Sequence, residues 1–139
     1  METKRRMEGK VAIVTGGGSV ASGIGNGRAT SILFARAGAK VLVVDMNRSA
    51  AEETQKAIQQ EGGTAEVFVA DVSQAKDCEA IVKKALDLWG KLDVLDNNVG
   101  ISGRGNVVEF SAEAWDRIMT VNVKSVMLMG KYAVPQMKV

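Results

Sequence analysis

A glycine-rich segment between a short apolar strand and an apolar helical pattern has the clearest chemistry in this sequence. The strand is predicted at residues 11–15, and the segment after it contains Gly16, Gly23 and Gly25. Glycines permit a sharp turn that brings bare backbone N–H groups close to an anion, and the N-terminus of the next helix adds about half a positive charge. The junction therefore predicts a binding site for a phosphate or pyrophosphate.

A carboxylate stands at the expected distance from this turn. Asp45 ends the second predicted strand, residues 41–45, and lies twenty residues after Gly25. At that position a carboxylate can accept hydrogen bonds from both hydroxyls of a ribose. It would also repel a 2′-phosphate, so NAD is favoured over NADP. Arg48 keeps the NADP alternative open, because a nearby guanidinium can pair with a phosphate.

Composition excludes several other functions. The sequence has no histidine, which excludes imidazole catalysis and the usual zinc sites. The net charge of +2 lacks the clustering of a nucleic-acid surface, since the only basic run, residues 4–6, lies in a polar leader at residues 1–9 that we interpret as a solvated tail. One cysteine, Cys78, cannot form an internal disulfide, and its place on an apolar helix face predicts a buried packing residue.

No apolar run is long enough to span a membrane, and the start lacks the apolar core of a signal peptide. A protein with a single cysteine fits a reducing compartment. We therefore expect a cytoplasmic protein, with no membrane or nucleic-acid partner.

Strand-like and helix-like segments alternate along the chain. Strands are predicted at residues 11–15, 41–45, 65–70 and 94–97, with helices between them and after the last one. Ser49, Ser73 and Ser111 are predicted to cap the second, third and last helices. This alternation indicates an α/β fold of Rossmann type, a three-layer structure with a parallel sheet of about four strands in the order 3-2-1-4.

The last helical region has apolar residues on more than one face. These are Val121, Val123, Val126, Met127, Leu128, Met129, Tyr132 and Val134. One sheet face cannot cover all of them, and the fourth strand would lie at an open edge. Both features predict burial against a partner, most simply a second copy of the chain, or against further polypeptide.

Four motifs together resemble the short-chain dehydrogenase/reductase family over residues 10–137. They are the glycine turn from Thr15-Gly16 to Gly23-Ile24-Gly25, Asp71-Val72 after the third strand, Asn97-Asn98-Val99-Gly100 after the fourth, and Asn122 in the last helical region. The resemblance implies a dinucleotide-binding fold, an oxidoreductase activity and a last helix that dimerises.

The resemblance also implies roles for single residues. Asp71 and Val72 would bracket the adenine, Asn98 and Gly100 would support the cofactor and the glycine turn, and Asn122 would anchor a water chain that serves the active site. The implied cofactor-binding residues are Gly16, Ser19, Gly23, Ile24, Gly25, Asp45, Asp71, Val72, Asn98, Val99 and Gly100. Simpler interpretations stay open, because Asp71 can be a turn residue ahead of Ser73 and Asn98 can merely satisfy loop backbone groups.

The sequence departs from the family pattern at three places. Residues 20–22 lengthen the glycine turn and are expected to bulge away from the phosphates. Asp96 replaces an apolar residue in the fourth strand, where a carboxylate must find a partner, reach solvent or stay protonated. Val99 replaces a smaller alanine and narrows the nicotinamide side of the site.

The catalytic residues of the family are not found in this sequence. The family uses a serine, and a tyrosine with a lysine four residues later on the same helix face. The only tyrosine is Tyr132, followed by Gln136 at that spacing, while Lys131 and Lys138 do not share its face. Tyr132 is therefore interpreted as a packing or interface residue.

Two hypotheses follow for residues 10–139, which correspond to the first half of a family domain. In the first, the chain is the NAD(H)-binding portion of an oxidoreductase that acts on an alcohol or ketone, and it is not catalytically competent alone. In the second, it is a dinucleotide-binding or oligomerising module without catalysis. A third possibility, a separate chain that supplies the missing groups, has no support in the sequence.

Overall fold

The computed structural model describes residues 5–19 and 23–137. They form a parallel four-stranded sheet with helices on both faces, and the strand order is 3-2-1-4, which confirms the predicted fold class. The elements are β1 (Val11–Thr15), α1 (Asn26–Arg36), β2 (Lys40–Asp45), α2 (Arg48–Gln60), β3 (Thr64–Val69), α3 (Ala75–Trp89), β4 (Val94–Asp96), α4 (Ala112–Met119), a π-helical turn (Thr120–Lys124) and α5 (Ser125–Met137). The predicted bulge at residues 20–22 lies outside the described residues.

The two central strands are apolar on both faces because helices cover both sides of the sheet. On one face, Ile13 and Leu42 pack with residues of α3 and α5 such as Ile81 and Met129. On the other face, Val14, Val41 and Val43 pack against α1 and α2, with Ile58 as the largest helical contributor. Alternate residues of one strand therefore serve two different cores, which fixes the register of the sheet.

The register brings the functional segments to one edge of the sheet. Thr15 pairs with Val44, Val44 pairs with Phe68, and Val14 pairs with Asp96. All four strands run in the same direction, so the residues that follow them meet at their carboxyl ends. In open α/β sheets this edge is where ligands bind.

Two of the three predicted helix caps are wrong. Helix α2 is capped by Asn47, whose side chain accepts a hydrogen bond from the Ala50 N–H at 3.1 Å, and Ser49 already lies inside the helix. Helix α3 begins after Gln74 without a side-chain cap, and the Ser73 N–H is bound by the Asp71 carboxylate at 2.9 Å. Ser111 caps α4 as predicted, accepting from the Ala114 N–H at 3.1 Å.

The described part of the leader is docked, which corrects the expectation of a free solvated tail. The Met7 N–H donates to the Ala37 carbonyl at 2.9 Å, and the partly buried Met7 side chain packs against the core between the sheet and helices α1 and α2. Arg5 and Arg6 remain exposed. A short apolar anchor inside a polar segment is therefore enough to hold it at the end of α1.

The last helical region divides its apolar residues between the core and the surface. Val121, Leu128 and Met129 are buried, and Tyr132 packs against the same core, as its interpretation as a packing residue requires. Val123, Val126, Met127 and Val134 are between 44% and 56% exposed. Within residues 5–19 and 23–137, no helix combines the length and hydrophobicity needed to cross a bilayer.

Candidate functional site

A cleft of about 600 Å³ opens at the carboxyl edge of the sheet. All eleven predicted cofactor-binding residues line it: Gly16, Ser19, Gly23, Ile24, Gly25, Asp45, Asp71, Val72, Asn98, Val99 and Gly100. They come from four separate segments, so the tertiary structure brings together what the sequence spaces over 85 positions, from Gly16 to Gly100. Its size is within the range of small-molecule and cofactor sites.

The glycine turn begins with a left-handed residue and is fixed by the loop after β4. Gly16 has a φ of 64°, a conformation that favours glycine. The Asn98 side-chain amide donates to the carbonyls of Thr15 and Gly16, each at 3.1 Å, and the Asn98 N–H donates to the Thr15 hydroxyl at 3.1 Å. Asn98 thus has the geometry of a support for the turn.

The glycine that the packing requires most strictly was not among the predicted site residues. Helix α1 begins at Asn26, with Gly25 as its N-cap, and Gly27 lies directly against the Gly16 carbonyl and the Asn98 amide. A Cβ at Gly27 would overlap the Gly16 carbonyl oxygen. The sequence signal was available as one further glycine, two residues after Gly25.

At Gly23 and Gly25, no comparable close contact among the described residues requires a glycine. Among the described residues, no atom outside the adjoining chain lies within 4 Å of a Cβ built at Gly23, and the nearest atom to one at Gly25 is the Ser19 hydroxyl oxygen at 3.7 Å. The Ser19 hydroxyl itself donates to the Gly23 carbonyl at 2.7 Å. Within the described part of the chain, positions 23 and 25 therefore leave backbone without a side chain where the cleft wall meets the N-terminus of α1.

Asp45 is anchored by the backbone on both of its carboxylate oxygens. Oδ2 accepts from the Gly18 N–H and Oδ1 from the Asn47 N–H, both at 2.9 Å. Each carboxylate oxygen can accept more than one hydrogen bond, so both retain capacity toward the cleft. A negatively charged acceptor is thus held in a defined orientation beside the glycine turn.

Asp71 and Arg117 place opposite charges in the part of the cleft next to β3. Hydrogen bonding with Ser73, above all with its side chain, and the positive charge of Arg117 hold the pKa of Asp71 below its ordinary value, against the opposing effect of burial. The Asp71 N–H also donates to the Asp77 carboxylate at 2.8 Å. Asp71 therefore makes the turn that the simpler interpretation expected and also faces the cleft. Sequence reasoning missed Arg117, which lies on α4 without any motif to mark it.

Asn122, the one predicted catalytic residue, is outside the set of cleft-lining residues. Its side chain forms two hydrogen bonds with the backbone of Ile101, which does line the cleft. The structure therefore places Asn122 behind the wall of the site, as a support for the loop after β4.

Asp96 and Val99, which depart from the family pattern, lie close to α1 and to the glycine turn, respectively. Burial raises the pKa of Asp96, and a hydrogen bond with the Thr30 side chain opposes this to a smaller extent. Asp96 is half-buried, so the carboxyl group has the Thr30 side chain as a partner and also some access to solvent. Val99 lines the cleft with a methyl carbon 3.3 Å from the position of a Cβ at Gly16. The described residues contain no group of carboxylate, thiol or imidazole side chains suited to a metal ion.

Comparison with known proteins identifies the family to which the chain is related. A model of the short chain dehydrogenase family matches residues 10–139. The chain is 45% identical over 131 residues to an uncharacterized oxidoreductase of Thermotoga maritima, covering 94% of this chain and 49% of that one. It is 40% identical to 2-(S)-hydroxypropyl-CoM dehydrogenase 3 of Xanthobacter autotrophicus, covering 95% and 50%.

Solved structures agree with these sequence matches. The crystal structure of a putative short-chain dehydrogenase/reductase from Burkholderia xenovorans superposes with a TM-score of 0.93 at 34% identity, covering 96% of this chain and 53% of that one. A hydroxysteroid dehydrogenase from Escherichia coli gives a TM-score of 0.86 at 32% identity, with 97% and 55% covered. The chain thus spans about half the length of the relatives that it matches.

Proposed function

The chain belongs to the short-chain dehydrogenase family, and from this premise we propose that it is the NAD(H)-binding portion of an oxidoreductase. Membership of the family implies a nicotinamide cofactor, either NAD or NADP. The proposed reaction is hydride transfer between that cofactor and an alcohol or ketone. The cofactor supplies or accepts the hydride, and the residues of this chain bind it and orient it.

The single observation that carries the proposal is the position of Asp45. Its carboxylate is anchored beside the glycine turn and lines the same cleft as the open N-terminus of α1. Backbone N–H groups at a helix start suit a pyrophosphate, and a carboxylate at the end of the second strand suits the adjacent ribose diol. The spaces left by Gly23 and Gly25 allow a phosphate to approach the backbone, so the residues present fit a dinucleotide.

The same carboxylate favours NAD over NADP. A 2′-phosphate at the ribose would place its negative charge next to Asp45, whereas a free hydroxyl can donate a hydrogen bond to it. Arg48, the residue that kept NADP open, pairs with Glu52 at 3.6 Å on the exposed face of α2. Arg48 is also outside the set of residues that line the cleft. Both facts support NAD as the cofactor.

Tyr132 does not suit the proton relay of the family. It packs against the core of α3 and α5, and the residue four positions later is Gln136. The Lys131 ammonium lies over the Tyr132 ring, 5.6 Å from its centre. We therefore propose that cofactor binding is the part of the reaction performed by this chain, and that side chains other than these relay the proton.

The test is titration of NADH and NADPH into the purified chain and its Asp45→Ala variant. Loss of the hydrogen bonds to a charged acceptor should weaken NADH binding by about tenfold or more and NADPH binding far less. Asp45→Ala also frees the N–H groups of Gly18 and Asn47, but this change affects the binding of both cofactors equally. The ratio of the NADH and NADPH affinities therefore measures the contact with the ribose alone. Asp87→Ala removes an exposed carboxylate on α3 and serves as the control. Equal losses for both cofactors would contradict the assigned role.

A second function, self-association, is supported by the surface of the last helical region. Val123, Met127 and Met119 line a shallow groove together with Lys124, and Val126 and Val134 are also exposed. β4 is an outer strand of the four described. We propose that two copies associate through α5, as the family resemblance implies.

The oligomeric state of Met127→Glu tests this proposal by light scattering. A charged side chain at position 127, in the exposed apolar surface of the last helical region, should shift the measured molar mass from that of a dimer to that of a monomer. Val107→Glu is the matched control, because Val107 is 91% exposed and belongs to the loop between β4 and α4, not to α5. A monomeric parent chain, or a dimer that survives Met127→Glu, would contradict the proposed interface.

A further inference from the structure

The Gly17–Gly18 peptide is held by side chains at both of its polar atoms. The Gly17 carbonyl accepts from the Thr54 hydroxyl at 2.8 Å, and the Gly18 N–H donates to Oδ2 of Asp45 at 2.9 Å. Thr54 is fully buried, whereas Asp45 faces the cleft. The orientation of this one peptide therefore sets the position of the Asp45 carboxylate relative to the glycine turn.

Arg28 holds the Thr54 hydroxyl in place through a hydrogen bond to its oxygen. Its Nε donates to the Thr54 hydroxyl oxygen at 3.0 Å, while a terminal guanidinium nitrogen donates to the Ala50 carbonyl at 3.2 Å and to Glu53 at 2.9 Å. A hydroxyl has a single hydrogen to donate. With Arg28 occupying an acceptor lone pair of Thr54, that hydrogen points to the Gly17 carbonyl at 2.8 Å, a closer acceptor than the Ala50 carbonyl at 3.3 Å.

The surroundings make this chain of hydrogen bonds rigid. The Arg28 side chain is only 14% exposed, although its partner Glu53 is 64% exposed. A Cβ at Gly18 would come within 2.7 Å of the Ala50 side chain, so the turn is packed tightly against the start of α2. Hydrogen bonds from a largely buried guanidinium are worth more than those at the surface.

We propose that Arg28 and Thr54 are positioning residues for cofactor binding, which hold the Gly17–Gly18 peptide and through it the Asp45 carboxylate in the orientation that receives the adenosine ribose. This inference rests on the proposed function, because the orientation matters only if a ribose binds at Asp45. It adds two residues that are not themselves among those lining the cleft. Their effect is transmitted through a single peptide unit.

The chain contains a matched control for simple helix pairing. Arg36 joins the same two helices at their other ends, with its Nε 2.6 Å from Glu61, the residue that follows α2. Arg36→Met removes a guanidinium between α1 and the end of α2 without touching the glycine turn. Arg28→Met removes the one that leads to Gly17.

The experiment measures the affinities for NADH and NADPH in Arg28→Met, Thr54→Val, Thr54→Ser and Arg36→Met. Thr54→Val keeps the shape and removes the hydroxyl, so NADH binding should weaken by about tenfold while NADPH binding changes less. Thr54→Ser should restore the ratio of the two affinities, and Arg36→Met should leave it unchanged. A merely structural effect would lower both affinities together, because the two cofactors differ only at the ribose 2′ position.

A second readout separates this inference from the proposed function. The rate of hydrogen exchange at the Gly18 amide shows how firmly the Gly17–Gly18 peptide is held, and it is measured without any cofactor. This rate should be about tenfold higher in Thr54→Val and Arg28→Met than in the parent chain or Arg36→Met. If the parent chain binds neither cofactor but Gly18 exchange behaves as expected, the proposed function is overturned. The hydrogen bonds that hold the Gly17–Gly18 peptide are then confirmed independently of it. Unchanged Gly18 exchange, or an unchanged ratio of affinities in Thr54→Val, would overturn the positioning role.

Discussion

The side-chain amide of Asn122 forms two hydrogen bonds with the backbone of a single residue, Ile101. Oδ1 of Asn122 accepts from the Ile101 N–H, and Nδ2 donates to the Ile101 carbonyl, both at 2.8 Å. Asn122 lies in the π-helical turn between α4 and α5, whereas Ile101 belongs to the loop after β4 and lines the cleft. The last helical region therefore holds one wall of the candidate cofactor site in place.

Replacement of Asn122 by alanine should loosen this wall. Loss of the two hydrogen bonds is expected to lower the free energy of unfolding by about 1–2 kcal/mol and to speed hydrogen exchange at the Ile101 amide. Asn106→Ala is a suitable control, because Oδ1 of Asn106 accepts from the N–H groups of Val108 and Glu109 in an exposed turn of the same loop. Equal Ile101 exchange in both variants would show that Asn122 does not support the loop.

Gly27→Ala should be far more damaging than Gly23→Ala. A methyl group at Gly27 meets the Gly16 carbonyl, a backbone atom that cannot rotate away, so we expect a loss of about 3 kcal/mol or more in stability. At Gly23 no described neighbour is in reach, so stability should change by no more than about 0.5 kcal/mol.

Titration of NADH into Gly23→Ala measures the effect of the same substitution on cofactor binding. A methyl group on an open cleft wall should weaken binding by about tenfold if the phosphates approach the backbone there. Thermal unfolding and titration on the same samples distinguish the two effects. Stable Gly27→Ala protein with normal affinity would refute the packing of α1 on the turn.

Asp96→Asn should stabilise the chain at neutral pH. Because burial raises the pKa of Asp96, the folded state binds its proton more tightly than the unfolded state does. The stability contributed by this group is therefore complete below its ordinary pKa of 3.8 and is lost as the pH rises through the raised value. Asparagine keeps the neutral shape, so the gain should be about 1 kcal/mol at pH 7 and should vanish near pH 3.

Urea unfolding of Asp96→Asn and the parent chain at both pH values measures this difference. Asp116→Asn, a substitution at an exposed residue of α4, is the control. A variant that is less stable than the parent at pH 7 would indicate that ionised Asp96 has a favourable partner.

Cys78 should be unreactive until the chain unfolds. Its side chain is 0% exposed and donates to the Val72 carbonyl at 3.2 Å. Burial, assisted by the negative charges of Asp77 and Asp71, raises the pKa of the thiol to about 11, so very little thiolate exists at pH 8. Alkylation by iodoacetamide should be slow in native buffer and should reach one thiol per chain in denaturant. Rapid native labelling would mean that α3 opens readily.

The sequence by itself determined the fold class, the strand order and eleven of the residues that line the cleft. Alternating apolar strands and amphipathic helices restrict a chain of this kind to a parallel sheet, and the carboxyl ends of parallel strands meet at one edge. Residues at or directly after the ends of β1, β2, β3 and β4 are therefore neighbours, and the eleven residues that the family resemblance implied all lie in these segments and line one cleft.

Only the tertiary structure decided which side chains hold those residues in place. The contacts of Thr54 with Gly17, of Asn122 with Ile101 and of Gly27 with Gly16 join segments whose distance and rotation depend on how the helices pack. The same reason explains the misplaced caps, since a local pattern does not show which side chain reaches a helix N-terminus: Asn47 caps α2 in place of Ser49, and α3 has no side-chain cap. Local patterns encode periodicity along the chain, whereas hydrogen-bond partners across elements are chosen by three-dimensional proximity.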